Sequence, residues 1–396
     1  MTQGSTTDPS IKRLVGAGLS ANLVGIGLAR FAYTPLIPVL IDAAWFSPAE
    51  AAYLGAINLV GYLAGAWAAR PLGARWSAAP VLRAMMLLAS AAFFACAFNL
   101  GFAWFALWRG GAGIAGGVIM ALAAPTVLPY AAPARRGLTG GVIFSGVGLG
   151  VAASGSLVPL LLGWGLVETW CGLGVLSAGL TMFAWGGWPR RAPLAPASAG
   201  RASMVGNAPA IRALLVEYGL NAAGQVPHMV FLVDFIVRGL QRDLATGAAI
   251  WIVYGVGAML GPLLTGRLAD RIGFGAMLRY AVVIQIAAVA LLLVSTATPA
   301  LALSSLLVGG LTPGLVPVVF GRVQELTRDP AMTQRVWSGA TTAFALGQAG
   351  FAALCAELFA RTGSHQPLFV AAIGALGLAL LLDLVWGRRA VGARQT

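Results

Sequence analysis

Two arginines interrupt long apolar runs of the sequence and are the side chains with the clearest chemistry. Arg30 lies well inside the first run, and Arg109 lies near the start of the fourth. If these runs span a membrane, each ionisable side chain costs roughly 2.5–3.5 kcal/mol on insertion scales, so its presence needs a reason. A guanidinium at that depth can bind the anionic group of a substrate, or it can pair with a carboxylate of another helix. Both interpretations of Arg30 stay open.

A polar stripe marks the seventh apolar run, where Glu217, Asn221, Gln225 and His228 are spaced four, four and three residues apart. At about 100° per residue these side chains fall within about 80° of one helix face. Pro227 interrupts the backbone beside His228, and broken helices are typical of membrane substrate sites. We expect this stripe and the arginine of the first run to line one central cavity. A purely structural role for the lone histidine is the alternative.

Four neutral side chains complete the predicted substrate site. Tyr33 shares a helix face with Arg30, Asn58 shares one with Tyr62 in the second run, and Gln348 lies in the eleventh run. Asn58, Tyr62 and Gln348 are equally suited to hydrogen bonds between helices, which is the alternative interpretation.

Two carboxyl groups of the seventh run are candidates to carry protons, Glu217 and Asp234. A carboxyl group buried in an apolar environment avoids the cost of an isolated charge when it is protonated. Each also has an arginine in reach, Arg212 for Glu217 and Arg238 at i+4 for Asp234, so a salt bridge is the alternative. His365 lies in a short connection, and we expect it to be solvated.

The composition fixes the class of protein that must position these residues. Apolar residues make up 59% of the 396 residues, and charged residues only 9%, where soluble proteins carry roughly 25%. A spanning helix needs about 20 mostly apolar residues, so the sequence predicts an all-α integral membrane protein with twelve transmembrane helices. The three cysteines have no metal-type spacing. We therefore predict no metal site and no cofactor.

Charge and composition also divide the chain. The segment 189–211 is rich in Pro, Ala, Ser and Arg and predicts a cytoplasmic linker between two six-helix bundles, 14–188 and 212–386, with tails at 1–13 and 387–396. Of the 25 Lys and Arg residues, twenty fall on the side of the termini and three on the other side. This bias predicts that both termini are cytoplasmic. The net charge of +13 does not indicate nucleic-acid binding, because the basic residues are scattered rather than clustered.

A short motif recurs after the second and eighth runs. GAWAARPLGAR (65–75) and GRLADRIG (266–273) align at an offset of about 201 residues, which predicts two pseudo-symmetric halves. In this alignment Ala69 takes the place of the aspartate in the first copy. The motif resembles the loop signature of the major facilitator superfamily. That resemblance implies gating roles for its glycines and charged residues, which are Gly65, Arg70, Gly73, Arg75, Gly266, Asp270, Arg271 and Gly273. The alternative is that these charges only anchor the topology.

Two further parts of the chain carry the resemblance. RGGAGIAGG (109–117) is similar to the fourth-span signature of that superfamily, which implies a proton-coupling role for Arg109. A snorkelling arginine beside the aromatic pair Trp104 and Trp108 is the alternative. GIGLARFAYTPLIP (25–38) and YLGAINLVGYLAG (53–65) resemble the bacterial subfamily usually labelled YbfB/YjiJ. The resemblance implies the major facilitator fold, transport, a monomer and a bacterial inner membrane.

These features favour a secondary active transporter that works by alternating access. The chain has no GxxxxGK[ST] phosphate loop, so an ion or solute gradient would drive it. We expect proton coupling and a small organic anion or zwitterion as substrate, with a proton or other coupling ion and membrane lipid as the remaining partners. The alternatives are efflux of amphipathic drug-like compounds and a non-transporting receptor. An intramembrane enzyme is disfavoured, because the sequence has no HExxH or GxSxG motif.

Overall fold

Long apolar helices make up the structure, a computed structural model that describes residues 9–132, 135–189, 208–327 and 329–387. These residues form helices and no strands, as a chain in hydrocarbon must satisfy its backbone hydrogen bonds within each segment. Twelve helices are long and apolar enough to cross a membrane. In chain order they are α1 (Ile11–Asp42), α2 (Pro48–Trp76), α3 (Ala78–Cys96), α4 (Phe102–Tyr130), α5 (Leu138–Leu162), α6 (Leu166–Ala184), α7 (Ala208–Gly239), α8 (Leu244–Ile272), α9 (Phe274–Val294), α10 (Thr298–Leu326), α11 (Met332–Thr362) and α12 (Gln366–Val385).

The helices form two bundles of six, α1–α6 and α7–α12, which confirms the predicted fold class. The first helix begins at Ile11, three residues before the predicted bundle, and α7 begins at Ala208, inside the predicted linker. Residues 190–207, like most of the two predicted tails, lie outside the described residues. Below, the linker side is the side of the bundles where residues 189 and 208 lie, and the distal side is the opposite one.

The first helix of each half is interrupted near its middle. In α1 a π-helical stretch, Leu23–Leu28, separates the α-helical parts Ile11–Asn22 and Tyr33–Asp42. In α7 a π-helical stretch runs over Pro227–Phe231, where proline removes a backbone donor. Such π-helical segments are frequent at functional sites, because they shift the face that the following residues present. The break predicted at Pro227 is therefore present.

Glycines allow close contacts between helices in the N-terminal half. A Cβ atom on Gly61 of α2 would collide with the carbonyl of Gly110 in α4, and one on Gly65 would collide with the carbonyl of Ile114. Small residues let the backbones of membrane helices approach in this way. A side chain larger than hydrogen at either position would therefore push α2 and α4 apart.

The C-terminal half repeats this contact. A Cβ atom on Gly257 of α8 would collide with the carbonyl of Leu306 in α10, and one on Gly261 with that of Gly310. Each of these four residues lies 196 positions after its counterpart in the first half. The two halves are therefore related by an offset of 196 residues through these helices.

This offset corrects the register of the sequence motif, which placed the copies about 201 residues apart. The turn between α2 and α3 has its positive φ at Ser77 (61°), and the turn between α8 and α9 has it at Gly273 (89°). These positions are again 196 apart, so Asp270 corresponds to Ala74 rather than to Ala69. The sequence alignment matched glycine to glycine. In the first copy, however, the residue with positive φ in the turn is Ser77, so the glycine of this turn has no glycine counterpart.

The motif residues lie mainly on helices rather than in loops. Gly65, Arg70, Gly73 and Arg75 belong to α2, which continues to Trp76, and Gly266, Asp270 and Arg271 belong to α8. The side chains of Arg70, Arg75, Asp270 and Arg271 are exposed on the linker side. Between described residues no ion pair is formed by these four side chains. Their gating role stays a prediction.

Candidate substrate site between the two halves

Arg30 joins the two halves at the middle of the bundle. It follows the π-helical stretch of α1, and its Nη2 donates to Oε1 of Gln348 in α11 at 2.7 Å. The same nitrogen lies 3.7 Å from the sulfur of Met229 in α7. The guanidinium carbon lies 5.2 Å from the ring centre of Phe31 and 5.1 Å from that of Tyr62. Arg30 thus contacts one aromatic ring on its own helix, one on α2, and neutral groups of the C-terminal half.

Arg109 lies beside this group and is almost completely buried, with 3% of its surface exposed. Its Nη1 donates to the carbonyl of Ala29 at 2.7 Å, and its guanidinium carbon lies 4.2 Å from the ring centre of Tyr33. Nδ2 of Asn58 donates to the carbonyl of Arg109 at 2.8 Å. Arg109 is therefore an interior residue of the N-terminal half and not an interfacial arginine that reaches toward water.

The two guanidinium groups line one small cavity between the halves. Tyr33, Asn58 and Met229 are among its other lining residues. Between described residues neither arginine forms an ion pair with a carboxylate. The Nε atom of each is buried without an acceptor. A charged donor without an acceptor is costly in such a place, so this arrangement is suited to an anion.

The structure places the polar stripe of α7 elsewhere. Asn221 donates to Gln285 of α9 and accepts from Gln225 at 2.6 Å, all within the C-terminal half. Nε2 of His228 lies 2.9 Å from Oγ of Ser304 in α10. The expectation that this stripe shares a cavity with Arg30 is therefore not met.

The reason is the local geometry of α7. Asn221 and His228 find polar partners on α9 and α10, and these partners offset part of the cost of burying them. The π-helical stretch after Pro227 then presents the neighbouring residue, Met229, to Arg30. Binding of substrate by Asn221, Gln225 and His228 stays a prediction without a contact that supports it.

The two carboxyl groups of α7 have different surroundings. Glu217 is buried and lines a second small cavity, on the linker side of the C-terminal half, together with Arg322 and Asp383. Its Oε1 has no hydrogen-bond partner. Asp383 is instead paired with Nε of Arg279 at 2.5 Å. Glu217 is therefore a buried carboxyl group with no ion pair to another described residue.

Asp234 is fully buried but well partnered. Its Oδ2 lies 2.7 Å from Nε2 of His365, and its Oδ1 lies 3.5 Å from Nη1 of Arg238. The ion pair with Arg238 is the alternative that the sequence allowed. His365 is buried and not solvated as expected, because the rings of Phe235 and Phe359 enclose it.

Polar contacts hold the halves together on the distal side. Nε of Arg238 lies 4.0 Å from Oδ1 of Asp42, at the distal ends of α7 and α1. The hydroxyl of Tyr53 donates to Oε2 of Glu357 at 2.5 Å, joining α2 to α11. A further contact lies closer to the centre, where Oγ1 of Thr34 donates to the carbonyl of Met229 at 2.5 Å.

Several of these residues were missed by sequence reasoning, namely Thr34, Asp42, Met229 and Glu357. One signal was available for two of them. At the offset of 196 residues Asp42 corresponds to Arg238 and Tyr33 corresponds to Met229. Aligning the halves in that register would have placed these pairs opposite one another. Nothing local to the sequence marks Glu357 as the partner of Tyr53.

Two solved structures have the same arrangement of helices. One is a bacterial homologue of the human lysosomal transporter Spinster in an inward-facing and occupied conformation, with a TM-score of 0.70 and 16% identity, covering 95% of this chain and 96% of that one. The other is a mutant of the nucleoside transporter NupG, with a TM-score of 0.78 and 13% identity, covering 95% of this chain and 99% of that one. At these identities the likeness shows the fold alone, and that fold is the one of major facilitator superfamily transporters.

The sequence places the chain more narrowly. A family model described as "Uncharacterised MFS-type transporter YbfB" matches residues 22–384. The chain belongs to this family of multi-pass membrane transporters, which confirms the resemblance seen in its first two apolar runs. No protein with a curated description matches the sequence.

Proposed function

We propose that the chain is a secondary active transporter that moves a small organic anion or zwitterion by alternating access and couples this movement to protons. Membership of a transporter family supports movement of a solute. The observation that carries the substrate class is the pair of guanidinium groups, Arg30 and Arg109, which face one cavity and contact only neutral acceptors among the described residues.

Charge decides between classes of solute at this site. Two guanidinium groups in an apolar environment repel a cation and attract an anion, and screening by water is weak at this depth. A planar carboxylate can accept two hydrogen bonds from one guanidinium. A zwitterion would also need an acceptor for its ammonium group.

The distribution of contacts between the halves supports alternating access. Hydrogen bonds and ion pairs that cross between α1–α6 and α7–α12 are present at the level of Arg30 and on its distal side. We propose that these contacts close the distal side in this conformation and break when the halves rock. On the linker side the motif charges are exposed, so they are available for a complementary closure.

Proton coupling is assigned to Arg109, Glu217 and Asp234. Glu217 supports it best, because its buried carboxyl group has no ion-pair partner among described residues and avoids an isolated charge when it is protonated. Asp234 is included because its carboxyl group is fully buried in a cluster with His365 and Arg238. Arg109 would act through the cavity that it shares with Arg30.

The test uses purified protein in proteoliposomes with an internal pH dye and an imposed proton gradient. Pools of organic acids, amino acids and amphipathic cations are compared for the wild type, Arg30→Ala and the control Arg335→Ala, which removes an exposed arginine of α11. We expect a pH change with an acid or amino-acid pool that is lost only in Arg30→Ala. An active cation pool would overturn the substrate class. Tracer flux without a pH change would overturn proton coupling, and absence of flux would favour a receptor.

An aromatic cluster supports one alternative, efflux of amphipathic compounds. The rings of Trp251 and Tyr254 are stacked at 4.8 Å, and Phe31 lies 6.0 Å from Trp251. The three rings are buried here, and they would suit a flat apolar solute if the halves separate at this place. Arg30 lies next to it, however, so we favour an organic anion with an apolar part over a cation.

A further inference from the structure

We propose that Gln348 occupies the position on Arg30 that a substrate carboxylate takes, and that the substrate binds by displacing this amide. The inference rests on the proposed function, because it assumes that Arg30 binds an anion. It assigns to Gln348 the role of a competitor for the site, which is opposite to the role of ligand suggested by its place in the sequence.

Aromatic rings border the guanidinium group of Arg30. The rings of Phe31 and Tyr62 lie 5.2 and 5.1 Å from the guanidinium carbon. With these rings packed against the group, an acceptor must reach Arg30 at its N–H edges. Nε and Nη2 share one such edge, and their parallel N–H bonds match the two oxygens of a carboxylate.

Gln348 accepts from only one of these two nitrogens. Its single amide oxygen accepts from Nη2 of Arg30 at 2.7 Å, while Nε of Arg30 is buried without an acceptor. A carboxylate in the same place would accept from both nitrogens and would add the attraction of opposite charges. The amide therefore leaves a donor unsatisfied that a carboxylate would satisfy.

The other end of the Gln348 side chain is also weakly held. Its Nε2 lies 3.5 Å from the sulfur of Met229, and a thioether is a weak acceptor. No other hydrogen bond from this amide to a described residue is present. Displacing the amide breaks one hydrogen bond to a charged donor and one weak contact, and two charge-assisted hydrogen bonds replace them.

Displacement would also change how the halves are connected. Arg30 belongs to α1 and Gln348 to α11, so their hydrogen bond crosses between the halves. A bound carboxylate would replace this bond with one to the substrate and release α1 from α11 at the centre. The same exchange makes the site selective for carboxylates. A neutral amide as ligand would bind Arg30 no more strongly than the amide of Gln348 does.

Two substitutions at this position make opposite predictions. Gln348→Leu removes the competing oxygen, so we expect carboxylate affinity to rise at least threefold. Gln348→Glu attaches a carboxylate to the chain and fills the edge of Arg30, so we expect affinity to fall at least tenfold. Binding of acetate, benzoate, succinate and glutamate is measured by calorimetry on the full-length protein in detergent, with benzamide as the neutral control. Gln366→Glu adds the same charge at an exposed position of α12 and should leave affinity unchanged.

The outcomes distinguish a failure of this inference from a failure of the proposed transport function. Lower affinity in Gln348→Leu would make Gln348 a ligand, and unchanged affinity in Gln348→Glu would remove it from the site; either result overturns the inference. Gln348→Met provides a second apolar variant should the leucine variant fail to fold. If the wild type binds none of the four carboxylates, the proposed function is overturned as well. Binding that depends on Arg30 but falls in both apolar variants overturns the inference alone.

Discussion

The two halves of the molecule share their packing and differ in their buried charge. The glycine contacts between α2 and α4 recur between α8 and α10 at a constant offset of 196 residues. The interior of the N-terminal half holds cations, Arg109 and the half-buried Arg30, whereas that of the C-terminal half holds the carboxyl groups of Glu217 and Asp234. The repeat therefore determines how the helix backbones pack, while the buried charged side chains differ between the halves.

The counterparts of the arginines show this division most clearly. At the same offset Arg30 corresponds to Val226 and Arg109 to Ser305. Ser305 donates to the carbonyl of Ile250 at 2.8 Å, so the position keeps a polar contact to a backbone without a charge. We infer that one half provides the anion site and the other provides the acidic groups for protons. The predictions below test this division, from the largest expected effect to the smallest.

The largest effect should follow from changing the cation of the N-terminal half while keeping its charge. In Arg30→Lys the guanidinium edge is lost and an ammonium group remains, which cannot bind a carboxylate with two parallel hydrogen bonds. We expect carboxylate affinity to fall about 10- to 100-fold, which corresponds to the roughly 1.5–3 kcal/mol of hydrogen bonds to charged groups. Calorimetry measures it, with the exposed Arg335→Lys as control. Equal affinity would mean that charge alone defines the site.

Breaking the best-paired carboxylate of the C-terminal half should lower stability. Asp234→Asn removes the charge that His365 and Arg238 contact, and leaving a buried polar group without its partner costs about 1–3 kcal/mol. We expect a lower thermal unfolding temperature in detergent. Asp243→Asn is the matched control, because Asp243 is an exposed helix cap of α8 and asparagine caps equally well. If both variants unfold alike, the Asp234 cluster does not stabilise the fold.

The shared packing can be tested in both halves with one substitution. Gly65→Ala and Gly261→Ala each place a methyl group where a backbone carbonyl of the partner helix lies, and overpacking of this kind costs about 1–3 kcal/mol. Gly266→Ala is the control in α8, since a Cβ atom there meets nothing within 4 Å. Thermal unfolding should show similar losses for the first two and none for the third. A loss in only one half would contradict the equivalence of the two contacts.

The smallest effect should come from a single hydrogen bond between the halves. Tyr53→Phe removes the bond to Glu357, and a polar contact near the surface contributes little to stability. We expect the distal side to open slightly more often. Labelling of a cysteine that replaces Leu59, a lining residue of the cavity, measures access to it in a variant without the native cysteines. Tyr280→Phe, an exposed position of α9, should change nothing.

The sequence predicted the fold well because membrane helices are specified by length and composition, which are local properties. It also singled out Arg30, Tyr33, Asn58, Tyr62, Arg109 and Gln348, which the structure brings together around one cavity or in contact with its lining residues. Helical phase predicted these contacts because the residues lie in regular helices or only a few residues after the π-helical stretch of α1.

Helical phase failed in α7, since the π-helical stretch at Pro227–Phe231 changes which face points inward. It therefore assigned His228 to the cavity that Met229 occupies. The burial of His365 could not be predicted either, because its carboxylate partner lies 131 residues away in the chain. Contacts of that kind follow from the packing of whole helices and leave no trace in local spacing.

The ion pair between Asp42 and Arg238 has a consequence for how such a molecule can arise. These residues are counterparts in the repeat, so they meet across its pseudo-two-fold axis. In a dimer of two identical chains the equivalent contact would join a residue to its own copy, and like charges would face each other. An attractive pair at this place needs two halves that differ in sequence and always occur together. Fusion into one chain provides both conditions. The ion pair between Asp42 and Arg238 can therefore form in the duplicated protein but not in a symmetric dimeric ancestor.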